Sequence, residues 1–212
     1  MNEYKKLFYQ NQAQTIIRHL NERKMEGYYC EDVAAAKAKV LELLGDGAKS
    51  VGYGGSVTLD ANGFKEAIAE AGHHLIRREN AKTPEEKKEI DRELICADAF
   101  LMSTNAITLD GELINIDGHG SRVSFMIYGP EQVIIVAGMN KVVSTVEEGI
   151  HRTRNVAAPP NTVRLGIDTP CAQTGRCGNC LKHTICSQIV ITRDSRIPFR
   201  IKVVLVGEEL GY

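Results

Sequence analysis

Residues 98–123 read DAFLMSTNAITLDGELINIDGHGSRV, and the change of rhythm inside this stretch decides the fold. DAFLMSTN carries an apolar run that is short and stopped by polar residues, the pattern of a buried strand. AITLDGELINI is two short apolar runs joined by Asp110-Gly111, the strongest local signal for a tight hairpin. IDGHGSRVSFMIYG then enters a helix through two glycines. A strand, an antiparallel hairpin and a glycine loop in succession imply a mixed α/β architecture.

Toward the N-terminus the pattern is a simpler alternation. TPEEKKEIDRELICA reads as a helix capped by Thr83, HHLIRR (73–78) as a strand, and KSVGYGG as a buried strand ending in a turn, with a helix following through Ala71. Strands and helices alternating at this spacing imply right-handed βαβ units and a mainly parallel sheet. Residues 3–44 read as two helices: Leu7, Phe8, Ile16, Ile17 and Leu20 recur at near-helical spacing, Asn21 to Gly27 supplies the break, and the second helix runs from an Asp32 cap to Gly45. Downstream, QVIIVAG (132–138) is an apolar central strand, Val143 to Asn155 is helical with AAPPN ending it, and SQIVITR and RIKVVLVG add two strands. With no repeats and no linker, residues 1–212 form one domain, with a helical arm over 1–45 and a cysteine-bearing loop inserted at 168–187.

The bulk composition narrows the function classes. A formal net charge of −1 argues against a general nucleic-acid or membrane-surface role, and the absence of Trp argues against a base-stacking platform. MNEYKKLFYQ lacks the apolar core of a signal peptide, and no apolar stretch reaches membrane-spanning length. A cytoplasmic location is expected, where thiols stay reduced.

That expectation bears on TPCAQTGRCGNCLKHTIC, which places Cys171, Cys177, Cys180 and Cys186 within sixteen residues. Polar and glycine neighbours describe a surface loop. Four thiolates converging there satisfy one tetrahedral zinc or one cubane (4Fe-4S) iron–sulfur cluster. The lack of two short paired hooks favours the cluster over zinc, with reduced thiols as the bland alternative and His183 as a substitute ligand. Cys30 and Cys96, beside apolar neighbours, read as buried small groups.

Two loops suit an anion. Gly54-Gly55-Ser56 turns from a strand into a helix, where glycines permit close approach and Ser56 and Thr58 add hydroxyls; an ordinary structural turn looks the same. Asp117-Gly118-His119-Gly120-Ser121-Arg122 combines carboxylate, imidazole and guanidinium, suited to a carboxylate or phosphate; its bland reading is a helix start with Ser121 as cap and Arg122 solvated. Ser103-Thr104-Asn105 closes another strand and lines the same crevice if both loops sit at strand carboxyl ends. His73-His74 reads as structural.

VGYGGSVTLD, DAFLMSTNAITLDGELINIDGHGSRV and NVAAPPNTVR together resemble the lactate-utilisation (LUD) domain family, over roughly residues 10–212. The resemblance implies a three-layer α/β sandwich similar to ribose-5-phosphate isomerase and CoA-transferase subunits. It implies an accessory or subunit of lactate-type organic-acid oxidation, working beside iron–sulfur oxidoreductase subunits. Gly54, Gly55 and Ser56 match the superfamily's phosphate-binding turn, while Thr104, Asn105, Asp117, Gly118, Gly120, Ser121 and Arg122 match the central motif and would face one crevice that binds a small anionic ligand. The isomerase motif of an acidic pair and a lysine is not recognisable, and Glu112, the only candidate for a transferase glutamate, sits in a hairpin. The catalytic residues are therefore unknown. The rival expectation is a non-enzymatic ligand-sensing or assembly protein with a structural zinc.

Overall fold

The structure, a computed structural model, describes residues 1–212. In chain order the strands are β1 (Glu26–Cys30), β2 (Ser50–Tyr53), β3 (His74–Ile76), β4 (Ala99–Met102), β5 (Ala106–Thr108), β6 (Leu113–Asp117), β7 (Gln132–Gly138), β8 (Val142–Val143), β9 (Gln188–Thr192) and β10 (Ile201–Val206). The helices are α1 (Glu3–Glu22), α2 (Val33–Leu44), α3 (Val57–Asp60), α4 (Phe64–Glu70), α5 (Pro84–Ile95), α6 (Ser121–Ile127), α7 (Val146–Arg152), α8 (Ala158–Leu165) and α9 (Pro170–Thr174).

Six strands form one sheet in the order β1-β10-β7-β4-β2-β3, every pair parallel. Side chains alternate between its faces, so a strand buried on both sides is apolar at every position. In β7, Val133, Ile135 and Ala137 join one core while Ile134 and Val136 join the other. Helices α1, α5 and α6 cover the first face, and α2, α3 and α4 the second, giving the three-layer sandwich. The N-terminal helical arm is packed into this frame: Tyr9, Ala13, Ile16 and Leu20 form the buried stripe of α1.

The Asp110-Gly111 hairpin forms as the sequence implies, with β5 and β6 antiparallel and Gly111 at φ 82°. It forms the centre of a second sheet, β8-β5-β6-β9, whose Ile107 and Leu113 enter the α1 core. Helix α7 presses close on its other side, where a Cβ on Gly149 would lie 2.8 Å from Ile114 Cδ1.

Five local expectations are corrected. The break between the first two helices is itself a strand, β1, whose partner β10 lies at the far end of the sequence. The helix expected through Ala71 is split into α3 and α4 at Gly63, which takes φ 67°. AAPPN does not end its helix. A π turn at Thr153–Ala157 joins α7 to α8, and that restart places Pro159 and Pro160 in the first turn of α8, where a missing N–H costs nothing. Cys96 is exposed: it caps α5 away from the face that buries Leu94. Ser121 is the first residue of α6, and Gly120 is its cap.

Candidate functional site

The connections place a crevice. From β2 to β3 the chain crosses on the α4 face, and from β3 to β4 it returns by α5 on the opposite face. β2 and β4 are neighbours, so the chain direction switches between them, and the space beyond their carboxyl ends is where open α/β sheets bind ligands. A cleft of about 580 Å³ opens there. Its walls come from the segments that follow β2, β4, β6 and β7, together with α8.

Eight of the ten ligand residues expected from the sequence line this one cleft: Gly55, Ser56, Thr104, Asn105, Asp117, Gly118, Ser121 and Arg122. The other two stand behind the wall. A Cβ on Gly54 would lie 2.8 Å from Arg122 Cγ, so glycine there lets the arginine stem pass. Gly120 takes φ 80° and donates its N–H to Asp117 Oδ1 at 2.9 Å.

Arg122, expected from the sequence to meet a ligand, lines the cleft and is also tied into the protein around it. Its side chain is only 14% exposed and its Nε faces Asp117 Oδ2 at 3.4 Å. One terminal nitrogen donates to Ser103 O and Asn115 Oδ1, the other to Asn105 Oδ1 and Ile116 O, at 2.6–3.1 Å. The four N–H groups on the two terminal nitrogens are thereby committed to protein acceptors, and Nε is paired with the Asp117 carboxylate. Burial pushes its pKa down and Asp117 opposes that shift. The residue braces the loop after β4 against β6 and supplies a fixed positive charge.

The residue that sequence reading missed is Lys141, just beyond β7. It is 3% exposed, lines the cleft, and donates from Nζ to Thr58 Oγ1 and Ser103 Oγ, both at 2.9 Å. No carboxylate pairs with it. Burial, then Arg152, then Arg122 drive its pKa from 10.5 down to about 7. Arg152 was also missed: it is buried and donates to Asn140 O at 3.1 Å and Asn105 O at 2.7 Å. The available signal was position, since Lys141 directly follows the carboxyl end of the apolar central strand. His73 is structural as expected, its Nδ1 accepting from Lys49 N.

The cysteine loop borders the same cleft through Thr184, Ile185 and Cys186. It is not wholly a surface loop. Cys171 is buried on α9, its Sγ 3.2 Å from Thr169 Oγ1 and 3.6 Å from Thr162 Oγ1. Gly178 lets the loop fold back, since a Cβ there would lie 2.8 Å from Pro170 Cβ. Burial raises the Cys186 pKa, and Cys177, Cys171 and Cys180 raise it further, so all four thiols share one neighbourhood. They are not gathered about one centre: no three His, Cys, Asp or Glu side chains stand close enough to hold a metal ion. The donor chemistry suits zinc or an iron–sulfur cluster, and the loop would have to tighten to bring the four sulfurs onto one centre.

The sequence pattern of the LUD domain matches residues 13–206. A crystal structure of a DUF162 family protein from Deinococcus radiodurans is similar over 93% of this chain and 98% of its own, at 17% identity and a TM-score of 0.56. Ribose 5-phosphate isomerase A from Neisseria gonorrhoeae is similar over 52% of each chain, at 17% identity and a TM-score of 0.33. No curated protein matches the sequence. No helix is long and apolar enough to cross a membrane.

The buried lysine sets a pH signature on stability. Between about pH 7 and 10.5 the unfolded chain holds the Lys141 proton and the folded chain does not, so stability rises with pH across that window. Lys141→Met is expected to stabilise the fold by roughly 2 kcal/mol or more at pH 6, since each unit of pKa displacement is worth about 1.4 kcal/mol. The gain should shrink toward zero near pH 10, measured as the difference between the two proteins' urea unfolding curves.

Proposed function

The chain belongs to the LUD domain family, membership of which supports a role related to lactate utilisation, and within that role we propose that the cleft binds a small carboxylate. The observation that carries this is the balance of buried charge. Lys141, Arg122 and Arg152 bring three cations to the floor of the cleft and its supports, and Asp117, already facing Arg122, is the carboxylate that answers them. Cations held out of water without counter-ions attract an anion strongly, because the alternative is an uncompensated buried charge. Thr58 and Ser103 fix the ammonium in place, and Ser56 and Asn105 add polar groups along the wall.

We further propose that the protein serves as an accessory or subunit of organic-acid oxidation, with its cysteine loop taking up an iron–sulfur cluster beside the same cleft. Cys171, Cys177, Cys180 and Cys186 would hold it after the loop tightens. When bound, a cluster would supply single-electron transfer to or from a partner oxidoreductase. If the loop holds zinc instead, its part is structural and the protein reads as a ligand sensor or assembly factor.

Two measurements test these readings. Calorimetric titration with L-lactate, pyruvate and inorganic phosphate should give binding at pH 6.5 that weakens as pH rises through 7 to 9, because the bound anion needs the protonated lysine. Lys141→Met should weaken binding at least tenfold, about 1.4 kcal/mol. An affinity equal in both proteins and flat with pH contradicts the anion site. Metal analysis of anaerobically purified protein should find about four irons per chain and brown colour; one zinc without colour selects the structural role, and loss of either metal should follow Cys180→Ser.

A further inference from the structure

We propose that Lys141 is the reacting group of the cleft: its Nζ condenses with the keto carbon of a small 2-oxo acid to form a protonated imine. This deepens the carboxylate-binding reading and rests on it. Amine and carbonyl carbon form the C–N bond, the carbonyl oxygen leaves as water, and the positive charge stays on nitrogen. Written from the ammonium, R–NH3⁺ and a ketone give an iminium and one water, so no oxidant or reductant takes part.

Three features of the site point to covalent use of this nitrogen. A lysine amine reacts when it is desolvated or placed beside other cations, since both favour the unprotonated form. Lys141 meets both conditions, being 3% exposed and near Arg152 and Arg122. Those two guanidiniums are fastened to backbone and amide oxygens, so their field on the lysine is permanent. Second, the partners of Nζ are two hydroxyls at 2.9 Å, from Thr58 and Ser103. Hydroxyls accept a proton from the amine and donate one to a departing hydroxide, the two transfers that imine formation needs. A carboxylate in their place would lock the lysine in its charged form. Third, an imine keeps its positive charge, so the acid's carboxylate has the same complement before and after the bond forms. The carbonyl is required by the nucleophile and the carboxylate by the surrounding cations, which together define a 2-oxo acid and exclude its 2-hydroxy counterpart from bond formation.

Reductive trapping tests this on the intact protein. Pyruvate and sodium cyanoborohydride are added at pH 7, and the protein is digested and mapped by mass spectrometry. A reduced pyruvyl adduct should accumulate on Lys141 on the order of a hundredfold faster than on exposed lysines, given its larger share of free amine at neutral pH. L-lactate in place of pyruvate should give none, and Lys141→Arg, which keeps the charge, should lose the adduct. Mapping on the unaltered chain makes the result independent of how that variant folds. Pyruvate that binds by calorimetry while Lys141 stays unmodified overturns the imine and leaves the carboxylate site standing. An adduct spread evenly over the lysines also overturns the imine. Absence of both binding and adduct overturns the carboxylate site as well.

Discussion

A lysine amine held out of water with no carboxylate beside it is the constraint around which the functional end of this molecule is arranged. Charged groups are buried at high cost unless paired, and Lys141 has only two hydroxyls for company. The surrounding frame must therefore be rigid enough to hold it. That rigidity comes from Arg122 and Arg152, whose donors bind the segments after β4, β6 and β7 into one unit. Their own charges make the lysine's position worse. Sites that keep a group in an unfavourable state this way commonly do so for function.

The fold explains why these residues meet. A parallel sheet buried on both faces leaves its carboxyl ends as the place where polar side chains from distant segments converge. Gly55 and Ser56, Thr104 and Asn105, Asp117 to Arg122, and Lys141 follow four different strands. The α7–α8 helix closes the far side, and its π turn lets the chain pass Pro159 and Pro160 while contributing Thr153 and Ala157 to the lining. The cysteine loop then leads from α8 back to β9 along the rim of the cleft. Ser187 donates to Asp117 O at 3.0 Å, and Ile185 packs on Gly118. The cleft and the cysteine loop are thus adjacent, although Gly55 and Cys186, which both line it, lie 131 positions apart in sequence.

Much of this was legible in the sequence where local chemistry decides local structure. The hairpin followed from Asp110-Gly111, the helix starts from Asp32 and Thr83, and the central strand from QVIIVAG. The misses have a common cause in distant partners. EGYYC becomes a strand because β10 offers it a ladder, which no window around residue 28 contains. The two prolines would end most helices but not this one, since the π turn restarts the helix with both of them in the first turn of α8. Most of the cleft-lining residues named from the sequence were found through glycine loops at strand ends. Lys141 and Arg152 escaped because a buried cation and a solvated one look the same in sequence. Arg122 was found as a crevice residue, while its bonds to Ser103, Asn105, Asn115 and Ile116 became visible only in the structure.

The claim that carries the functional account is the electrostatic state of Lys141, and it is open to direct measurement. Titration of protein carrying isotope-labelled lysine, followed by NMR at the side-chain nitrogen and Cε, reports the midpoint for each lysine, with Lys141 assigned by its absence in the Met variant. The account predicts one resonance titrating near pH 7 and moving upward when a carboxylate is added. A Lys141 resonance that titrates near 10.5, as an exposed lysine does, would contradict it.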